Sequence, residues 1–344
     1  MIDVSIVLPV YNAEGTLQAC LDALMAQPGD NIEIIAVDDG STDASGAMLD
    51  KTARQDSRFH VIHQQNQGEW VARNVAIRAS QGRYLGACDA DDVAGPGMYA
   101  NLLARADETG ADVVMCPYRR IEGETGRVIA IEMTARPGIF KPLGDPRGVA
   151  CTNTSMWNKL IRGDAMRSVA EQFRLPETPR LMSDMLLFVA CLPWIGKIDY
   201  LDAPQYDYMV RSGGVMKTLR IDELNALAQS LCAVRTWVGA HDGGQELQTL
   251  VDVIAFAHLG VSALTNLIRS PAGESGRYAR ELRGTLSSEF PGYGRRGRDS
   301  GAGPTRASRL RLDVTLAMFR CHALVPGLRA YAGVGHLLGR EGRW

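Results

Sequence analysis

The chain has 344 residues, 46% of them hydrophobic, and a formal net charge of −2. That length supports one large core or two smaller ones, and the near-neutral charge argues against a general nucleic-acid binder, which carries a basic excess to neutralise phosphates. Seven cysteines are scattered singly without a CxxC pair, which points away from a zinc knuckle or a disulfide framework and fits a reducing cytosol. The opening "MIDVSIVLPVYN" has no basic stretch before its short apolar run, so no signal peptide is expected. No run of 18 or more apolar residues occurs, so no membrane-spanning helix is expected either.

In chain order, residues 4–10 (VSIVLPV) read as a buried strand. Thr16 to Ala26 follows with Leu17, Leu21, Leu24 and Met25 at helical spacing. A second strand is expected at 32–37 (IEIIAV), then the loop DDGSTD, where Ser41 or Asp43 would cap a helix reaching residue 54. A third strand at 59–63 precedes a helix over Trp70 to Ser80, and a fourth strand, 83–88, runs straight into Asp89, Asp91 and Asp92. A further helical segment and a strand at 111–116 close the series. This alternation predicts an α/β domain with a mostly parallel, buried sheet. Residues 117–150 suggest a hairpin with loops, and the stretch from Asp222 to about Ile268 is helical, with 252–268 apolar almost all round. Residues 291–309 are rich in Gly, Pro and Arg and read as a linker.

In open parallel sheets, ligands bind beyond the carboxyl ends of the strands. Three such ends carry polar clusters here: Tyr11-Asn12, Asp38 to Ser41, and Asp89 to Asp92. Carboxylates packed this closely repel one another unless a cation lies between them. Mg²⁺ and Mn²⁺ prefer oxygen ligands and usually take one or two carboxylates, with phosphate and water supplying the rest. The pattern therefore points to a metal-bound diphosphate, although a solvated acidic turn has the same composition. Asp39 can accept a hydrogen bond from a base or ribose, and Tyr11 can stack on a base. Arg73, in "NQGEWVARNVAI", would hold a diphosphate or brace the acidic cluster.

The segments "SIVLPVYNAEGTLQACLDAL", "IEIIAVDDGSTDAS", "NQGEWVARNVAI" and "GRYLGACDADD", in that order, resemble the family 2 glycosyltransferases of GT-A fold. The resemblance implies a Rossmann-like sheet flanked by helices, with a mainly helical extension after it. It also implies an inverting transfer from a nucleotide-diphospho-sugar donor, assisted by Mn²⁺ or Mg²⁺. By position, Pro9, Tyr11, Asp39, Arg73 and Asp89 match nucleotide-binding residues, and Asp91 matches the metal ligand. The family's general base is an Asp that usually follows Glu at a helix start. Asp184, in "LPETPRLMSDMLLFVACL", fills that place, with Ser183 where Glu is usual and with Asp164 and Glu177 as competing carboxylates. Trp157 and Lys159 match the W-x-K segment on the acceptor side, and Arg211 lies in the matching "YDYMVRSGG" stretch.

The resulting organisation assigns residues 1–116 to nucleotide-sugar binding, 117–215 to acceptor binding, 216–290 to a helical extension and 291–344 to a basic tail. From Pro291 onward ten Arg face three acidic residues, a local charge of +7. Such a segment either lies on an anionic membrane or packs a helix with Arg on its wet face. The expected enzyme is a hexosyl- or N-acetylhexosaminyltransferase of the cytoplasm or the inner membrane face. It would use a UDP-sugar and a glycan or lipid-linked glycan acceptor, with no nucleic-acid partner. A polyprenyl-phosphate glycosyltransferase and a non-catalytic sugar-nucleotide-binding protein of the same fold are the alternatives.

Overall fold

The computed structural model describes residues 1–133, 135–136, 138–211, 220–269, 275–295 and 303–337. The positions Ser212 to Gly214 of the "YDYMVRSGG" stretch, 296–302 of the expected linker and 338–344 of the tail lie outside the described residues. In chain order come β1 (Val4–Val10), α1 (Glu14–Met25), β2 (Ile32–Asp38), α2 (Ser45–Gln55), β3 (Phe59–His63), α3 (Glu69–Ala79), β4 (Tyr84–Ala87) and β5 (Val93–Ala94). Then follow α4 (Met98–Thr109), β6 (Val113–Met115), β7 (Tyr118–Glu122), β8 (Val128–Glu132), β9 (Ala135–Arg136), α5 (Pro146–Ala150), β10 (Lys159–Arg162), α6 (Gly163–Gln172), α7 (Ser183–Ala190), β11 (Ile198–Tyr200) and β12 (Tyr206–Val210). The remainder is helical apart from the short strand β13 (Gly303–Pro304): α8 (Ile221–Gly239), α9 (Gly244–Ala255), a π-helical stretch Phe256–Ser262, α10 (Ala263–Arg269), α11 (Ser275–Glu289), α12 (Arg306–Arg320) and α13 (Leu324–Leu337).

The chain forms two compact units. The first, built from Met1–Pro142, Asn153–Ser212 and Ser300–Gly303, holds a seven-stranded sheet of order β11-β6-β10-β4-β1-β2-β3. Every neighbouring pair is parallel except those made by β10, which runs antiparallel to β4 and β6. The sheet is thus the mostly parallel α/β sheet expected. β2 is buried along its whole length, and all of β1 except Pro9 is buried, which is why both read as near-continuous apolar runs. Two polar residues inside these strands are satisfied locally: Ser5 Oγ donates to Glu33 Oε1 at 2.5 Å, and Glu33 Oε1 also accepts from Gln81 N at 2.7 Å. On α1, Leu17, Cys20, Leu21 and Leu24 form the buried stripe, each Leu contributing about 1.5–3 kcal/mol. Gly86 in β4 lies under the Tyr99 ring, where an added Cβ would meet ring carbon at 2.6 Å. A four-stranded sheet of order β5-β12-β7-β8 continues the unit.

β10 was not anticipated. Its sequence, KLIR, offers only two apolar residues, and its first residue is a fully buried lysine. Nor does Ser41 cap α2. Its hydroxyl accepts instead from Asn12 N, and Asp43 accepts from Ser45 N at 2.9 Å.

The second unit comprises Leu143–Thr152, Gly213–Asp299 and Pro304–Trp344. The long helical segment expected after Asp222 is divided at Gly243, whose φ of 73° is a left-handed value that favours glycine. One helix, Gly244–Ile268, is long and apolar enough to cross a membrane by length and composition, with mean hydropathy 1.6, and 61% of its most apolar window is buried inside the protein. Scattered polar residues break the apolar run without lowering the mean below what a span needs. In the tail, α12 buries Leu312, Thr315, Leu316 and Phe319, while Leu310 and Val314 face outward at 62% and 42% exposure.

Candidate active site

The carboxyl ends of β1, β2 and β4 lie side by side because their strands pair in register, Val10 with Asp38 and Val7 with Ala87. Tyr11, directly after β1, is half exposed. Pro9, inside β1, pairs with Val37 and is partly buried. Asp39 is buried and bonded to one segment: Oδ1 accepts from Gln64 Nε2 at 2.6 Å and Gln67 N at 2.9 Å, and Oδ2 accepts from Gly68 N at 2.8 Å. It therefore fixes the entry to α3. A carboxylate has about four acceptor positions, so one remains for a ligand. Gly40, at φ 73°, makes the turn possible, since a Cβ there would lie 2.7 Å from Asn66 N. Behind it, burial raises the Asp38 carboxyl, but bonds from Ser41 and His63 outweigh burial and hold it low. His63 bridges Asp38 and Asp50 at 2.9 and 3.0 Å, and those bonds raise its pKa.

Arg73 is the centre of the site. It is 1% exposed, on the inner face of α3. Its Nε and Nη2 donate to Glu69 Oε1 at 3.0 and 2.5 Å, and Nη2 also donates to Asp89 Oδ1 at 2.6 Å. Burial alone would lower its pKa, but Glu69, Asp89 and Asp184 together raise it. Burial pushes the Asp89 carboxyl up to about 7 against the pull of Arg73, with Glu69 and Asp184 adding to the rise. Arg73 thus braces the acidic cluster, one of its two sequence-based roles.

Asp91 is exposed, and its Oδ2 lies 3.2 Å from Arg211 Nη1. Asp92 is buried and turned the other way. It accepts from Tyr206 Oη at 3.0 Å and Met209 N at 2.8 Å, and burial with its acidic neighbours drives its pKa well up. Tyr206 Oη also accepts from Asp89 N at 3.2 Å, so β12 anchors the acidic turn from below. No group of three or more His, Cys, Asp or Glu side chains suited to a metal occurs among the described residues. The donor set nonetheless fits a hard cation that takes one or two carboxylates and completes its shell with diphosphate and water. Asp91 would be the exposed oxygen donor, with Asp89 beside it.

Asp184 lies in the first turn of α7, its Oδ2 accepting from Met156 N at 3.3 Å and its Oδ1 from Met185 N at 2.8 Å. It is within electrostatic reach of Arg73, Asp89 and Lys159. Its rival Asp164 pairs with Arg162 at 2.6 Å. Arg162 is opposite Tyr84, at the start of β4, so Asp164 lies at the far end of the sheet from Asp89. Glu177 is exposed.

Lys159 and Trp157 are interior residues. Lys159 is fully buried, and its Nζ donates to Asn153 O at 3.0 Å, Asn158 Oδ1 at 2.8 Å and Ser155 O. Burial pushes its pKa down to about 7, with Asp184 opposing. Trp157, 6% exposed, stacks on Tyr206 and Tyr208 at centroid distances of 4.7 and 5.6 Å and meets Tyr118 edge-on at 4.7 Å. Both hold the loop that presents Met156 N to Asp184. Sequence reasoning missed Glu69 and the pairing of Asp92 with Tyr206. Glu69 was detectable as an acid four residues before Arg73 on a helix; the contacts of Tyr206 and Asp92 span 114 residues and left no local signal.

Against known proteins, the sequence profile of Glycosyl transferase family 2 matches residues 5–167. Glycosyltransferase GlyG of Streptococcus pneumoniae is 31% identical over 227 residues, which cover 62% of this chain and 73% of GlyG. The chain belongs to glycosyltransferase family 2. A further relative, putative glycosyltransferase EpsH of Bacillus subtilis, is 32% identical over 223 residues, which cover 62% of this chain and 62% of EpsH. The crystal structure of S. aureus TarS 1–349 in complex with UDP-GlcNAc superposes with a TM-score of 0.67 at 18% identity, covering 99% of this chain and 93% of that one. At that identity the likeness concerns the fold, and the family 2 sheet described above is the GT-A sheet.

Proposed function

We propose that this protein is an inverting, metal-dependent glycosyltransferase that moves one hexosyl or N-acetylhexosaminyl unit from a UDP-sugar to a hydroxyl of a growing surface polysaccharide or lipid-linked oligosaccharide. The observation that carries this reading is Arg73, which gathers Glu69, Asp89 and Asp184 at the carboxyl end of the sheet. Donor-side and base-side carboxylates thereby share one centre.

In this reading Tyr11 stacks on the base, Pro9 lines the same wall, and Asp39 uses its remaining acceptor position on the base. Asp89 holds the ribose. Asp91 would hold a Mn²⁺ or Mg²⁺, which would supply positive charge to the leaving diphosphate. Asp184 takes the proton from the acceptor hydroxyl as its oxygen attacks the anomeric carbon and the bond to the diphosphate breaks, so the configuration inverts. Arg211, 3.2 Å from Asp91, would approach the diphosphate. Residues 1–116 serve the donor and 117–215 the acceptor. We further read the basic tail as contacting anionic lipid at the cytoplasmic face, which suits a lipid-linked acceptor.

The test is a thermal-shift panel of UDP, GDP, CDP and TDP with and without Mn²⁺. Saturation at a hundredfold excess over Kd adds about 2.7 kcal/mol of stability. A metal-dependent shift with UDP, lost in Asp91→Asn, is expected. Asp184→Asn is expected to keep that shift and lose about 10²–10⁴-fold in transfer rate. A folded protein that shifts with no nucleotide would refute the reading, and full turnover by Asp184→Asn would remove Asp184 as the base.

A further inference from the structure

The transfer chemistry described above leaves Glu69 without a role in the reaction. Its inner oxygen, Oε1, takes both bonds from Arg73, while the side chain as a whole is 48% exposed. The carboxylate is therefore pinned on one side and open on the other. Its charge is favoured: burial raises its pKa, but Arg73 and then Ser183 lower it further.

Two buried donors at this point are unspent. Arg73 Nη1 and Ser183 Oγ have no hydrogen-bond partner, although both residues are 1% exposed. Ser183 lies near enough to Glu69 to favour its ionised form, yet short of a formed hydrogen bond. An unpaired buried donor is costly, and native structures retain one chiefly where a ligand or water completes it. Ser183 directly precedes Asp184, and α3 packs against α7. Glu69 and the candidate base are thus on packed helices, linked through Ser183.

A base that takes a proton from one sugar hydroxyl gains rate only if the sugar is held in a single orientation. Neighbouring ring hydroxyls offer a second contact for that purpose. We propose that Glu69, backed by Ser183, is an acceptor-positioning residue. Its outer oxygen accepts a hydrogen bond from the hydroxyl adjacent to the attacking one, while Arg73 holds the carboxylate still. The acceptor is then a pyranose with a free hydroxyl next to its point of attachment. This inference rests on the reading of Asp184 as the base.

The test uses the full chain, UDP-sugars with Mn²⁺, and p-nitrophenyl hexopyranosides with their monodeoxy analogues as acceptors. Glu69→Gln keeps an oxygen for Arg73 but removes the charge. It is expected to raise the acceptor KM about tenfold or more, with the donor KM and the UDP-induced thermal shift unchanged. One deoxy acceptor should cost the wild type a similar factor and cost Glu69→Gln nothing further. An equal rise in donor KM, or an unchanged acceptor KM, would overturn the proposal and leave Glu69 as a brace for Arg73. A wild type that binds UDP but transfers to none of the glycosides would also overturn it while sparing donor binding. A wild type that binds no nucleotide would fail the proposed function itself.

Discussion

In the first unit, one buried guanidinium stands among three carboxylates, whereas two buried carboxylates of the second unit are each closed by a single arginine. There Arg309 meets Asp145 through two bonds of 2.6 Å, and Asp145 also accepts from Gly148 N at 2.9 Å to cap α5. Asp252 is likewise closed, by Arg235 at 2.6 Å and Gly292 N at 2.8 Å. The contrast separates two uses of buried charge. Balanced pairs tie distant segments of chain together and leave nothing for a ligand. Around Arg73, burial lifts Asp89, and the neighbouring Glu69 and Asp184 add to the rise. Both arrangements are costly to desolvate, and in the proposed function only the unbalanced one is completed by binding.

Breaking a balanced pair should give the largest loss of stability. Arg309→Ala leaves Asp145 buried without its charge partner, and about 3–5 kcal/mol should be lost in urea unfolding. The UDP-induced thermal shift of the folded variant should be unchanged; a lost shift would blur the distinction between the two uses. A smaller loss is expected at the acidic turn. Tyr206→Phe removes the hydroxyl that binds Asp92 and Asp89 N, at a cost of about 1–3 kcal/mol, and here UDP affinity should fall together with stability. Unchanged affinity would mean that the turn holds its shape without β12.

The smallest effect should come from His63 and reads as a pH dependence. Its folded-state pKa is raised by Asp38 and Asp50, so its contribution is complete below its unfolded value of about 6.5 and is lost as pH rises through the folded value. The partner Asp38 is held low, so its contribution is lost only as pH falls through its own folded value. The melting-temperature difference between wild type and His63→Ala should therefore shrink from pH 6 to pH 9. A difference that grows over that range would contradict the bridge.

Much of the first unit was legible because parallel strands buried on both faces announce themselves as apolar runs, and because β1, β2 and β4 each end in a polar cluster. The three clusters converge as the strand order requires. What stayed hidden depends on contacts between distant segments. β10 carries a lysine at its start, and that lysine is buried only because three carbonyl-type oxygens surround its Nζ. Trp157 and Lys159 matched an acceptor segment by sequence, yet they support the loop beside Asp184 from inside. The division of the helical region at Gly243 was also invisible to periodicity, since α8 and α9 carry similar apolar patterns on either side of it.

The anchoring of the acidic turn by Tyr206 also fixes an order of events during synthesis. Chains leave the ribosome amino terminus first, and domains complete as their last contacts emerge. Every donor-side motif is present once residue 92 is out, but the hydroxyl that seats Asp92 arrives 114 residues later. A nascent chain, or a fragment ending at residue 167 where the family profile stops, would carry all the recognised donor residues with their turn still open. In the proposed function, competence to hold the donor is thus deferred until β12 has been made.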